Sequence, residues 1–151
     1  MELFISDLDG TLLNGNAEVT EFTRDTLNRL MAKGLNFTAA TARTLASAGK
    51  ILSELDLKLP VILMNGVLIY DMAEKKYVKI NSLSRELCGL IIGLSKGIGL
   101  EPFMYSVSDN QLSTRYERLI SPAMKSFYNE RRKKYYKSFT QVSDLSRYID
   151  N

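Results

Sequence analysis

The 151 residues, 45% of them hydrophobic and 25% charged, suit one ordinary domain with a core that buries roughly 70% of its unfolded surface. The net charge of +3 is too small to point to nucleic acid. The absence of histidine excludes Ser-His-Asp and Cys-His catalysis and imidazole-built zinc sites. The one cysteine, Cys88, excludes an internal disulfide and lies in an apolar run that suits a buried structural thiol. Its reducing setting, the lack of a leader-like start and the lack of an apolar run near the ~20 residues of a membrane span point to a cytoplasmic protein without a membrane partner.

In chain order, "ELFISD" (2–7) reads as a strand in which Phe4 and Ile5 are expected to be buried. "LDGTLLNGNAEV" (8–19) is a Gly- and Asn-rich loop with Leu8, Leu12 and Leu13 turned inward. Thr20 caps a helix to about Lys33, with Leu27, Leu30 and Met31 on its inner face and Gly34 ending it. "LNFTAATA" (35–42) is a second strand. Thr44 or Arg43 opens a second helix to about Leu55, with Leu45, Ala48, Ile51, Leu52 and Leu55 inward. After Pro60, "VILMNG" (61–66) is a third strand. This alternation predicts an α/β fold built on a Rossmann-like parallel sheet of three strands, whose ligand site lies beyond the strands' carboxyl ends. Asp7 with Asp9, Thr41 with Arg43, and Asn65 with Gly66 all fall on that rim.

From Val67 the pattern changes. "VLIYDMAEKKYVKI" (67–80) reads as a hairpin turning at Ala73 to Lys76. Ser84 caps a helix with Leu87, Leu90, Ile91 and Leu94 on its inner face. "LEPFMYSVSD" and "QLSTRYE" form a second hairpin around Asp109-Asn110. Residues 121–139 form a helix with Pro122 near its first turn, and 140–151 a strand or loop leading into another helix start. The change divides the chain into a parallel-sheet core over 1–82 and an α+β portion over 83–151.

The chemistry concentrates in "FISDLDGTLLNG" (4–15). Carboxylates set near a core cost several kcal/mol unless paired. Asp7 and Asp9 therefore either cap a turn or hold a cation and react. Two carboxylates this close can divide the labour of nucleophile and proton carrier, and oxygen donors without histidine or cysteine favour Mg²⁺. Gly10 lets the backbone turn sharply, and Thr11 either holds an oxygen of a bound anion or braces the loop.

"DLDGTLL" (7–13) resembles the first motif of the haloacid dehalogenase-like (HAD) hydrolases. "AATAR" (39–43) is similar to their second motif, and "LPVILMNGVLIYD" (59–71) to the segment entering the α/β cap of the Cof-type sugar-phosphatase branch. The resemblance implies a Mg²⁺-dependent phosphohydrolase of small phosphorylated metabolites. Asp7 would form an aspartyl-phosphate, and Asp9 would protonate the leaving group and then activate water. Mg²⁺ would be held by the Asp7 side chain and the Asp9 main chain. Leu8, Gly10, Thr11, Thr41, Ala42, Arg43, Asn65 and Gly66 would surround the phosphate. Ala42 stands where the family has glycine. Arg43 would reach substrate, bridge to the cap, or merely cap a helix start. A receiver-type signalling domain would instead place its phosphorylated aspartate after the third strand, where this chain has Asn65.

Two later signals of the family, a lysine and a Gly-Asp-x-x-x-Asp acidic pair, are not found. Lys125, Lys133, Lys134 and Lys137 lie on a helix, and Asp144 and Asp150 lack an apolar strand. The resemblance is thus to an N-terminal portion. Its first strand would have one unpaired edge, so a homodimer or a complementing C-terminal half is expected, and otherwise a non-catalytic module that pairs with another chain. Residues 121–140 carry six basic residues and one acidic. With Tyr128, Tyr135 and Tyr136 interleaved, these suit a solvated helix face better than a nucleic-acid surface.

Overall fold

β1 (Leu3–Ser6) runs parallel to β2 (Asn36–Ala39), with Phe4 opposite Phe37 and Ile5 opposite Thr38. The computed structural model describes residues 2–135 and 137–149, so the readings of Tyr136 and Asp150 lie outside the described residues. The chain divides into two units, Met1–Ser82 and Leu83–Asn151, where its length alone suggested one domain.

In the first unit, β2 is nearly all buried. Its neighbour β3 (Val61–Leu63) joins it through one parallel bridge, Ala40 to Ile62. The third strand is thus shorter than 61–66 and only loosely part of the parallel sheet. β3 pairs antiparallel with β4 (Leu68–Asp71), and β4 with β5 (Lys76–Ile80), which is the expected hairpin. Among the described residues β1 pairs with β2 alone. Phe4 and Ile5, expected to be buried, are therefore 49% and 50% exposed. An apolar pattern marks a strand, but burial also needs neighbours on its edge and faces, and β1 lacks them here.

Helix α1 (Glu21–Ala32) begins where the Thr20 hydroxyl accepts the Thr23 N–H at 3.2 Å. It ends in a paired C-terminal turn: Gly34 N–H donates to the Met31 carbonyl and Leu35 N–H to that of Leu30. Met31 is buried, Leu27 half-buried, and Leu30 exposed, contrary to its expected inner position. Helix α2 (Leu45–Leu52) is shorter than expected and starts at Thr44, not Arg43. It buries Ala48 and Leu52, and Leu55, Val61, Leu63 and Leu68 complete this core with Leu8 and Leu13. Each such leucine or valine side chain contributes roughly 1.5–3 kcal/mol of transfer free energy.

In the second unit, α3 (Arg85–Gly97) is capped by Ser84, whose hydroxyl accepts the Leu87 N–H. Of its apolar residues Ile92 is buried, whereas Leu87, Leu90, Ile91 and Leu94, expected inside, are exposed. The stripe exists at helical spacing, but it is Ile92, on another side of the helix, that meets the core. Cys88 is half-buried rather than buried. Strands β6 (Met104–Ser108) and β7 (Gln111–Tyr116) turn at Asp109-Asn110, both in the left-handed region (φ 49° and 60°), as a tight hairpin requires. β8 (Thr140–Gln141) joins β7 in parallel. Helix α4 (Pro122–Tyr135) starts at Ser121, whose hydroxyl accepts the Met124 N–H, and Lys137 to Phe139, expected to be helical, are not. A ring cluster of Phe103, Tyr116, Phe127, Tyr128 and Phe139, with centroids 5.1–6.4 Å apart, fills the space between α4 and the hairpin. Tyr128 thus packs on the sheet. Arg131 and Arg132 lie over rings of their own helix, Arg131 over Phe127 and Tyr135 and Arg132 over Tyr128. No helix among the described residues is long and apolar enough to cross a membrane.

Candidate active site

The chain leaves β1 through a wide turn over Leu8–Leu12, closed by Leu13 N–H donating to the Leu8 carbonyl at 2.9 Å. Leu8 is fully buried and anchors this turn. Its neighbours Asp7 and Asp9 remain exposed. Gly10, at φ 76°, supplies the left-handed step that reverses the backbone. The result places both carboxylate residues on one open crevice of about 420 Å³, lined also by Ala40, Thr41, Ala42, Ile62, Asn65 and Gly66.

Hydrogen bonds fix the rim. The Leu8 N–H donates to Asp7 Oδ1 at 2.7 Å and pins that carboxylate. The buried Thr41 hydroxyl accepts the Arg43 N–H at 3.2 Å, so its own proton remains for an acceptor in the crevice. Met64 N–H donates to the Arg43 carbonyl and Asn65 N–H to that of Thr41, lacing two loops together. Met64, Asn65 and Gly66 all take positive φ (51°, 56° and 90°), a conformation that costs a non-glycine residue roughly 1–2 kcal/mol. The Asn81 side chain donates to the Gly66 carbonyl at 2.7 Å and holds that corner.

Arg43 faces a partner that the sequence did not suggest. Its guanidinium grips Asp9 in bidentate fashion, Nη2 on Oδ1 at 2.6 Å and Nε on Oδ2 at 2.8 Å, and Nη1 reaches the Ser47 carbonyl. The Arg43 side chain is 12% exposed and that of Asp9 56%. A pair this open to water adds about 1 kcal/mol or less to stability, so its consequence is positional.

Of the residues singled out from sequence, Asp7, Asp9, Thr41, Ala42, Asn65 and Gly66 meet in the crevice. Leu8 contributes its backbone to Asp7, Gly10 shapes the turn, Thr11 is exposed, and Arg43 works through Asp9. Sequence reasoning missed Asn81 and the Arg43–Asp9 pair, because nothing local links positions 34 residues apart.

A family model described as haloacid dehalogenase-like hydrolase matches residues 4–150. The chain belongs to that family. A relative in Buchnera aphidicola subsp. Baizongia pistaciae, provisionally named a phosphatase, is 41% identical over 70 residues, covering 46% of this chain and 26% of its own. Another in Mycoplasma genitalium, MG265, also provisionally named a phosphatase, is 37% identical over 94 residues, covering 61% of this chain and 34% of its own. The solved structure of the HAD subclass IIB sugar phosphatase BT4131 superimposes on all of this chain and 55% of its own, with a TM-score of 0.66 at 18% identity. The matches span a quarter to a third of these curated relatives, and the fold about half of the solved structure.

Proposed function

We propose that this chain carries the nucleophile and the acid/base residue of a phosphatase acting on small phosphorylated metabolites of the sugar-phosphate kind, in the cytoplasm. The observation that carries the reading is the placement of Asp7, Asp9, Thr41 and Asn65 around one crevice at the strands' carboxyl ends. Family membership and the similarity to BT4131 support the substrate class.

In this reading a lone pair of the Asp7 carboxylate attacks phosphorus. The bond from phosphorus to the ester oxygen breaks, and Asp9 gives that oxygen its proton. Thr41 donates its hydroxyl proton to a phosphoryl oxygen. The Asp9 carboxylate then takes a proton from water, whose oxygen attacks phosphorus and releases Asp7 and inorganic phosphate. While Arg43 grips both carboxylate oxygens, Asp9 cannot present a proton, so the clasp opens during turnover.

Asp7 and the Asp9 main chain offer hard oxygen donors without sulfur or imidazole, the chemistry that suits Mg²⁺. Among the described residues no group of three metal-ligating side chains converges. Mg²⁺ bound there would neutralise charge on the phosphoryl oxygens.

The test is turnover of p-nitrophenyl phosphate with Mg²⁺, beside Asp7→Asn. Loss on the order of 10³-fold or more supports the reading. Turnover unchanged in the variant overturns it. A second reading, a non-catalytic module that pairs with another chain, is favoured by the clasped Asp9 and the open β1 edge. Folded wild-type protein that neither turns over nor binds beryllofluoride at Asp7 would support it. In either reading we propose that β1 associates, with a second copy or a complementing C-terminal half, because its apolar side chains are exposed and, among the described residues, one of its edges is unpaired. A clean monomer by light scattering at tens of micromolar would refute association of copies.

A further inference from the structure

The second unit holds a lysine that phosphate chemistry does not use. Lys137 follows α4, and its backbone N–H donates to the Arg131 carbonyl at 3.3 Å. Its ammonium donates to the Tyr105 hydroxyl at 3.1 Å and lies 4.2 Å from the Tyr105 ring centre and 5.3 Å from that of Phe139. Tyr105, Arg131, Lys137 and Phe139 are all half-buried, so the group is desolvated yet reachable from solvent. The charged neighbour acting on it is Arg131, which α4 supplies with the same sign, and the titratable one is Tyr105, which β6 supplies.

We propose that Lys137 is a covalent modification site, an amine that condenses with small aldehydes bearing an anionic group, with Tyr105 as proton donor and Arg131 as the cation that draws the anion. The amine lone pair adds to the carbonyl carbon. The carbinolamine oxygen takes a proton from the Tyr105 hydroxyl, and water leaves with formation of the C=N bond. Deprotonation of the nitrogen returns the proton, so one water is released per imine. Two features prepare the amine. Burial first, and the Arg131 charge second, bring Lys137 down to about 8. Burial also raises the Tyr105 hydroxyl, which keeps its proton at neutral pH. Lys133 and Lys134, exposed on the same helix, serve as internal references.

At pH 7.5 a lysine at about 8 is about one quarter unprotonated, against about one part in a thousand for an ordinary lysine. Lower basicity takes back part of that gain, and a rate advantage of at least about tenfold remains. The experiment treats the whole chain with glyceraldehyde 3-phosphate or plain glyceraldehyde, reduces with cyanoborohydride and maps the peptides. Lys137 is expected to react at least about tenfold faster than Lys133 and Lys134, and the phosphorylated aldehyde to be preferred. Equal rates at the three lysines overturn the proposal, and because this comparison is internal to the wild-type chain it needs no folded variant. Arg131→Gln is expected to abolish the preference for the phosphorylated aldehyde, and an unchanged preference removes Arg131 from the site. Tyr105→Phe keeps the ring and is expected to slow imine formation, whereas an unchanged rate removes the hydroxyl from it. The proposal does not rest on the phosphatase reading, since none of its residues belongs to the Asp7 crevice.

Discussion

The two units hold their ionisable groups by opposite means. In Met1–Ser82, Asp7 and Asp9 stay exposed and are held by partners: a backbone N–H on Asp7, a guanidinium on Asp9. In Leu83–Asn151, Lys137 has a tyrosine hydroxyl and aromatic faces for neighbours and is altered chiefly by loss of water. Strand ends deliver orientation at little desolvation cost, because the peptide groups there point into solvent. A ring cluster delivers desolvation, and its cost falls on the charged form of whatever it encloses.

That contrast can be broken most forcefully at Leu8. Leu8→Ala removes a fully buried side chain beneath the Asp7–Asp9 turn and should cost about 2–5 kcal/mol. The denaturant midpoint of the first unit should fall while the aromatic resonances of Phe103, Phe127 and Phe139 unfold at their original midpoint. A joint fall of both would show that the two units melt as one and that the division is merely geometric.

A smaller effect is expected at Gly10. A Cβ there would meet nothing within 4 Å, so the cost of Gly10→Ala is the backbone conformation alone, about 1–2 kcal/mol. Calorimetry should show a modest drop in the first unit's melting temperature, with p-nitrophenyl phosphate turnover reduced more than stability if the turn aims Asp9. Stability unchanged would mean that the turn relaxes at no cost and that orientation is not fixed there.

The smallest effect is in pH. Lys137 titrates at about 8 when folded and near the ordinary 10.5 when unfolded. Between those values the unfolded chain binds more protons, so the second unit gains stability as pH rises through that window. Tyr105, raised by burial, acts oppositely above its ordinary value of 10. Urea midpoints at pH 8 and 9.5 should therefore rise in wild type relative to Lys137→Met. Parallel curves would show that the lysine is not desolvated and would weaken the contrast between units.

Much of the fold was legible because its signals are local. Thr20 and Ser84 announce helices through bonds spanning three residues, and Asp109-Asn110 announces a hairpin by tolerating left-handed backbone. The aspartate pair, Thr41 and Asn65 were legible as a rim because parallel topology sends successive strand ends to one side. What could not be read was burial that depends on distant partners. Phe4 and Ile5 look like core until β1 is seen, among the described residues, to pair with β2 alone. Leu87, Leu90, Ile91 and Leu94 make a helical stripe whose periodicity says nothing of what covers it. Arg43 sits in a motif, yet its choice of Asp9 is a matter of side-chain reach across two strand ends.

The loops that carry Thr41 and Asn65 into the crevice are tied by main-chain groups: the amides of Met64 and Asn65 donate to the carbonyls of positions 43 and 41. These ties use main-chain atoms and so do not depend on the side chain at position 42, where an alanine stands for the glycine of the related motif and lines the crevice. Sequence at that spot can drift, altering what the cavity wall feels like to a bound molecule, without moving the atoms beneath it.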